Sequence, residues 1–453
     1  MLHGILEVRL LGVYLLVALF LTGCASTDPY HTRAWESQNC HEPREERCTQ
    51  SYYQEYPGYD LAFVEFTERG NTFNDEWKKE VLSRIRKRQS ESGIVTLVFI
   101  HGWKHNAEES DTNLKEFRKS LSEISESSPL RGRRLVGVYV GWRGASIKAK
   151  LLEQLTFWDR KAVAEEVGKG GVTQLLLELD QIDRMRKKNV LAIIGHSFGG
   201  AITVSATAEI ISSRLSVGEK NNQERGAIGD ALMVLNPAIE ANQVLSMVEA
   251  ALNNPTTSAA TPLFVSISSD ADSATHYAFP VGQTIGLFFT WRQKDLMRSY
   301  YFDRLSKEKL TLREEHLDAT TVGNFAPYLT HRLTADISGE KPVIHIQPCE
   351  NVPEECVPKG LTSLGGHPTI GPLSANYPLY FIKTDENVMS GHNDIFNPVI
   401  HTFMFVIIDD VVRATLKDET DYKGDEIPYA NVLTKPDEFN RRFERFYNSD
   451  KDK

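Results

Sequence analysis

From residue 61 onward the chain alternates two textures. Short runs in which nearly every position is aliphatic or β-branched are separated by longer stretches where charged and apolar residues interleave at helical spacing. The runs at 62–66, 95–100, 135–140, 190–194, 231–235, 263–268 and 378–383 read as strands. They lack polar alternation, which suits a sheet covered on both faces, and amphipathic helices between successive strands predict parallel pairing. The expected fold class is α/β, a mostly parallel sheet flanked by helices. The rhythm breaks once, because residues 269–377 separate the last two runs, far more than one crossover needs. Residues about 285–375 therefore read as a large insertion between the last two core strands. It holds an aromatic run at 287–291, a charged helix-like stretch at 305–317 and a Gly/Pro-rich stretch at 360–372.

Upstream of residue 61 the texture differs. Residues 24–60 are polar and irregular, with Pro29, Pro43 and Pro57, and read as a tether ending in a small disulfide-closed loop, leaving 61–453 as one domain. At the start, Arg9 precedes an apolar run at 10–21, too short to span a bilayer but suited to a signal peptide of residues 1–23. The following Leu21-Thr22-Gly23-Cys24 resembles the lipobox of bacterial lipoproteins. That resemblance implies cleavage before Cys24 and a lipid on its sulfur, so that the protein is held in a bacterial cell envelope with no spanning helix. Ala25, not Asp, after the Cys favours the outer over the inner membrane.

Cysteine usage fits export. With Cys24 lipidated, the other four form two local pairs, Cys40 with Cys48 and Cys349 with Cys356, which an oxidising compartment would close as disulfides. Short loops favour these local pairings among the three possible connectivities. The net charge of −10 offers no positive field for phosphate backbones, so nucleic acid is not an expected partner. Neither a phosphate-binding glycine loop nor a zinc-finger spacing is present, and no cofactor or metal is expected. His101 and His105 stand four apart, but Gly102 and Asn106 argue against the helix that metal pairing would need.

The chemistry concentrates after the run at 190–194, which leads directly into Gly195-His196-Ser197-Phe198-Gly199 and then a helical pattern from Ile202. Strand, sharp Gly-x-Ser-x-Gly turn, helix is the context that exposes a nucleophilic serine. Attack on a carbonyl puts charge on oxygen, so backbone donors are needed nearby. The Phe198 amide is the first candidate, and the run at 95–100 ends in His101-Gly102-Trp103, similar to the oxyanion loop of lipases and esterases, which implies the Trp103 amide as the second. These motifs resemble the α/β-hydrolase superfamily over about 61–282 and 376–416. That family's chain order, serine, acid, histidine, implies Ser197 as nucleophile, an Asp after the 263–268 strand, and His392 in the Gly-containing loop after the 378–383 strand. Asp272-Ser273-Ala274-Thr275 resembles the acid loop of some hydrolases of this superfamily, which implies Asp272 in preference to Asp270 as the acid, with Glu240 a remote third. His196 is read as a packing residue beneath the turn, and residues 156–161 as packing near the site mouth.

The expected function is a serine hydrolase acting on ester bonds of a small molecule or a lipid at a membrane surface, through an acyl-enzyme on Ser197. The insertion would cap the site. The alternative of another class is a catalytically silent surface lipoprotein that uses the fold as a binding or scaffolding module.

Overall fold

The computed structural model describes residues 28–36, 40, 46–126, 130–144, 153–217, 228–253, 262–280, 296–303, 306–339, 341–356, 377–415 and 431–449. The residues read as signal peptide and lipobox, the aromatic run at 287–291 and the stretch at 360–372 lie outside the described residues. Among the described residues twelve strands run in chain order: β1 Tyr53–Glu55, β2 Tyr59–Glu65, β3 Ile94–Ile100, β4 Arg134–Gly141, β5 Val190–His196, β6 Ala231–Leu235, β7 Phe264–Ser269, β8 Leu296–Asp303, β9 Ser306–Leu312, β10 His331–Asp336, β11 Val343–Pro348 and β12 Leu379–Thr384. The principal helices are α1 Asp75–Ser92, α2 Thr112–Glu126, α3 Glu153–Val167, α4 Thr173–Asp183, α5 Phe198–Val217, α6 Leu245–Asn253, α7 Pro398–Ala414 and α8 Pro436–Ser449.

Ten strands form one mixed sheet in the order β1-β2-β4-β3-β5-β6-β7-β12-β10-β11. Every pair from β2 to β10 is parallel, and only the outermost strands, β1 and β11, run antiparallel to their neighbours. The apolar runs are continuous because neighbouring residues feed different cores. Leu191 and Ile193 of β5 pack with α1 and α3 to α6 on one face, while Val190, Ala192 and Ile194 pack with α2, α7 and α8 on the other. A strand buried on both sides cannot alternate polar with apolar.

The seven runs read from the sequence correspond to β2, β3, β4, β5, β6, β7 and β12. Three expectations are corrected. The segment read as an insertion contributes β10 and β11 to the main sheet, β10 pairing in parallel with β12. Its polar sequence hid this strand: His331 and Arg332 are buried, Arg332 because Asp270 neutralises it at 2.6 Å. The stretch at 305–317 is mostly strand β9, paired with β8, followed by a helical turn Glu314–Ala319. The described part of the supposed tether is folded onto the domain. Tyr53 and Asp60 belong to paired strands β1 and β2 and share a 2.9 Å hydrogen bond, and Asp60 also takes Arg88 and Arg134. The structure joins Cys40 to Cys48 and Cys349 to Cys356. Among the described residues no helix is long and apolar enough to cross a membrane.

Candidate active site

The strand order locates a crevice before any side chain is considered. From β3 the chain crosses to β4 on one side, and from β5 it crosses to β6 on the other. The carboxyl ends of the adjacent strands β3 and β5 are therefore left open between diverging connections, the usual ligand position in parallel sheets. Ser197 follows β5 there, and Trp103 follows β3.

Ser197 sits at φ 55°, left-handed backbone that a non-glycine residue adopts only under constraint. The constraint is close packing. A Cβ on Gly199 would lie 1.9 Å from the Ile100 carbonyl oxygen, so only glycine lets the start of α5 press against the end of β3. A Cβ on Gly102 would come within 2.9 Å of Ser197 Cβ, which places the His101-Gly102-Trp103 loop directly against the serine. That loop is pinned from below. His101 Nδ1 donates to the Gly102 carbonyl at 2.9 Å, its Nε2 accepts the Trp142 amide at 3.2 Å, and Trp142 Nε1 donates to the His101 carbonyl at 2.8 Å. Burial lowers the His101 pKa to about 4, so the ring stays neutral and keeps this tautomer. The Trp103 and Phe198 rings approach with centroids 6.4 Å apart.

His392 is brought from the loop after β12. Its Nε2 lies 2.7 Å from Ser197 Oγ and its Nδ1 lies 2.9 Å from Asp272 Oδ2. An ionised carboxylate only accepts, so the proton is on Nδ1 and Nε2 is left to accept from the serine hydroxyl. Asp272 is fully buried and also receives the Ala274 amide at 3.0 Å, the Thr275 amide at 3.2 Å and Thr275 Oγ1 at 2.6 Å. Burial alone would raise its pKa. The hydrogen bonds from His392 and Thr275 outweigh that and hold the carboxyl below its ordinary range.

Asp270, the other acid considered, is used elsewhere. It pairs with Arg332 at 2.6 Å and with the wholly buried Lys383 at 3.4 Å. Glu240 is paired with Lys161 at 2.8 Å, and burial raises its pKa despite that partner. Residues 156–161 lie in α3, and Arg160 bonds Glu68 and the Arg143 carbonyl.

Two residues contribute in ways the sequence did not signal. His196 is buried, as expected of a packing residue, yet its Nε2 donates to the His392 carbonyl at 2.9 Å. Asn236, itself at φ 44°, donates from Nδ2 to the same carbonyl at 3.0 Å, while its Oδ1 accepts the Ser269 amide at 3.0 Å. It thus ties the end of β6 to both the acid loop and the histidine loop. His196 and Asn236 act on chain segments remote in sequence, and no local pattern announces that. Thr275, the last residue of the Asp-x-Ala-Thr pattern, acts locally instead: its amide and hydroxyl bond the Asp272 carboxylate three residues back. Among the described residues no group of three His, Cys, Asp or Glu is placed to hold a metal ion. No protein-family model, no curated protein and no solved structure matches this chain.

Proposed function

We propose that the chain is a serine hydrolase of the α/β-hydrolase type, cleaving carboxylic esters through an acyl-enzyme on Ser197. The observation that carries this reading is the unbroken hydrogen-bonded chain from Ser197 Oγ through His392 to the buried Asp272 carboxylate. In the first step Ser197 Oγ bonds to the ester carbonyl carbon and passes its proton to His392 Nε2. The Phe198 and Trp103 amides, with the positive end of α5 behind the serine, stabilise the oxyanion. The tetrahedral species collapses, the C–O bond of the leaving alcohol breaks, and that oxygen takes the proton from His392. Water then attacks the acyl-enzyme, again giving its proton to His392, and the carboxylic acid departs as Ser197 regains its hydrogen. Asp272 fixes the tautomer and supports the imidazolium throughout.

A fluorophosphonate probe tests the reading, because it phosphonylates only an activated serine. Labelling of the purified protein at Ser197, abolished in Ser197→Ala and in His392→Ala, is expected. Absence of labelling in the folded parent protein would overturn the hydrolase and favour the scaffolding role.

A further inference from the structure

The first described residues, 28–36, are not splayed from the domain but fixed to the carboxyl-end edge of the sheet. Glu65, at the end of β2, accepts the Tyr30 amide at 3.0 Å, the His31 amide at 2.8 Å and His31 Nδ1 at 3.2 Å. The His31 ring stacks on Phe63 with centroids 3.4 Å apart, and Arg33 pairs with residues 50–52 through backbone bonds of 3.1 and 3.0 Å. Burial would raise the Glu65 pKa, but the bonds from His31 and the Tyr30 amide outweigh it and keep the carboxylate ionised. Arg143 donates to the Asp28 carbonyl and lies over the Tyr30 ring at 5.2 Å, and Asn106 Nδ2 reaches Tyr30 Oη at 3.3 Å. Arg143 and Asn106 belong to the loops after β4 and β3, the second of which carries Gly102 and Trp103 against Ser197.

Cys24 lies four residues before Asp28, and four residues span at most about 14 Å. A chain of this size has a radius of gyration of about 22 Å and a diameter on the order of 55 Å. A leash that short, attached at one edge, cannot bring the opposite edge to the surface that holds the lipid. We propose that the active-site edge faces the bilayer in which Cys24 is anchored, and that the substrate is an acyl ester of a lipid in that bilayer. This rests on the hydrolase reading and on the lipid anchor. The side chains that reach the surface on this edge agree with a headgroup layer. Trp103 is half-buried with Lys104 Nζ 4.5 Å over its ring, an apolar body beside a cation. Ile337 and Val343 are 58% and 52% exposed at the tip joining β10 to β11, beside the loop that leads to His392. That tip is tied to the loop by Asn387 Nδ2, which donates to the Ala335 carbonyl at 3.0 Å. Cleavage consumes one water and releases a fatty acid and the deacylated lipid.

Fatty-acid labelling of the full chain, lost in Cys24→Ser, checks the anchor. The lipidated protein is then reconstituted into phosphatidylethanolamine–phosphatidylglycerol vesicles carrying a fluorogenic phospholipid ester and assayed in parallel on soluble p-nitrophenyl butyrate. Inserting thirty Gly/Ser residues between Ala25 and Ser26, which lengthens the leash by a root-mean-square distance of roughly 30 Å, should cut vesicle-ester turnover at least tenfold and leave butyrate turnover unchanged. Equal vesicle turnover with and without the insertion, or a parent protein that cleaves butyrate and not the vesicle ester, overturns the proposal. Orientation is read independently of activity from nitroxides on Lys104→Cys and on Lys187→Cys, which precedes β5 at the opposite edge. Only the first should contact a nickel-chelating headgroup. Contact at Lys104→Cys without turnover of either ester would remove the hydrolase reading and the substrate with it, and contact at Lys187→Cys would overturn the orientation itself.

Discussion

Replacing each of two aspartates two positions apart tests the proposed catalytic use of one carboxylate against the structural use of the other. Asp272 takes four donors, from the amides of Ala274 and Thr275, from Thr275 Oγ1 and from His392 Nδ1. Asn at this position offers one acceptor oxygen and an NH₂, so at least one donor meets another donor. His392 can escape the clash by moving its proton to Nε2, but then it no longer accepts from Ser197. Loss of the correct tautomer and of the charge that supports the imidazolium should lower kcat at least ~100-fold, equivalent to about 2.7 kcal/mol in the barrier. Asp270→Asn removes the counter-charge of Lys383 and Arg332 instead. Breaking a fully buried pair costs about 3–5 kcal/mol, but the Asp270 side chain is 35% exposed, so solvent screening reduces the expected loss to roughly 1–2 kcal/mol. Its kcat should stay within about tenfold of the parent. The assay is steady-state hydrolysis of a soluble butyrate ester well below the unfolding midpoint, with thermal denaturation of each variant as the control for folding. Full activity in Asp272→Asn, or a larger kcat loss in Asp270→Asn, would refute the assignment.

The remaining predictions concern residues that act through His392 and the ionisation of buried histidines. His196→Leu removes a donor to the His392 carbonyl and should lower kcat about tenfold with KM unchanged, whereas His196→Gln, which retains a donor, should stay within about threefold; equal losses in both would mark His196 as packing only. Asn236→Ala should show the same split between kcat and KM and lower the thermal midpoint as well, since it leaves the Ser269 amide without its acceptor. Acid stability follows from burial, which lowers the pKa of His196 to about 3 and of His101, His331 and His401 to about 4. Between those values and about 6.5 the unfolded chain binds protons that the folded protein refuses, so this part of the stability is complete above pH 6.5 and lost as pH falls, by up to ~1.4 kcal/mol per pH unit for each histidine. Urea denaturation between pH 7 and 4 measures the slope, which His196→Gln should flatten; an unchanged slope would show that His196 does not contribute.

What the sequence made legible follows from what each feature must do locally. β3 and β5 are read easily because both faces are buried and every side chain must be apolar. β10 was not legible, because His331 and Arg332 are accommodated by burial without charge in one case and by Asp270 in the other, and neither device leaves a hydrophobic trace. The same division holds in the site. Ser197 and His392 stand in turns that carry their own glycines, and their order along the chain suggested that they meet. Asn236 follows a strand like any polar loop residue. Its use depends on the Ser269 amide and the His392 carbonyl arriving from strands β7 and β12, which only the assembled sheet brings together.

The glycines of the two candidate-site loops express one contact from two sides. Gly199 is required because the Ile100 carbonyl occupies the place of a Cβ, and Gly102 because Ser197 and His196 do. Both follow from β3 and β5 being neighbours in register, Ile100 opposite Gly195, so that the turn after each strand must pass the other at backbone distance. The approach that demands glycine is also the approach that brings the Gly102-Trp103 loop against Ser197 and Phe198. A methyl group at either glycine would therefore push Ser197 and the loop after β3 apart. The spacing of Gly102 and Gly199 is thus a property of sheet register, which explains why a candidate site spread over nearly three hundred residues, from Gly102 to His392, leaves readable marks at two short turns.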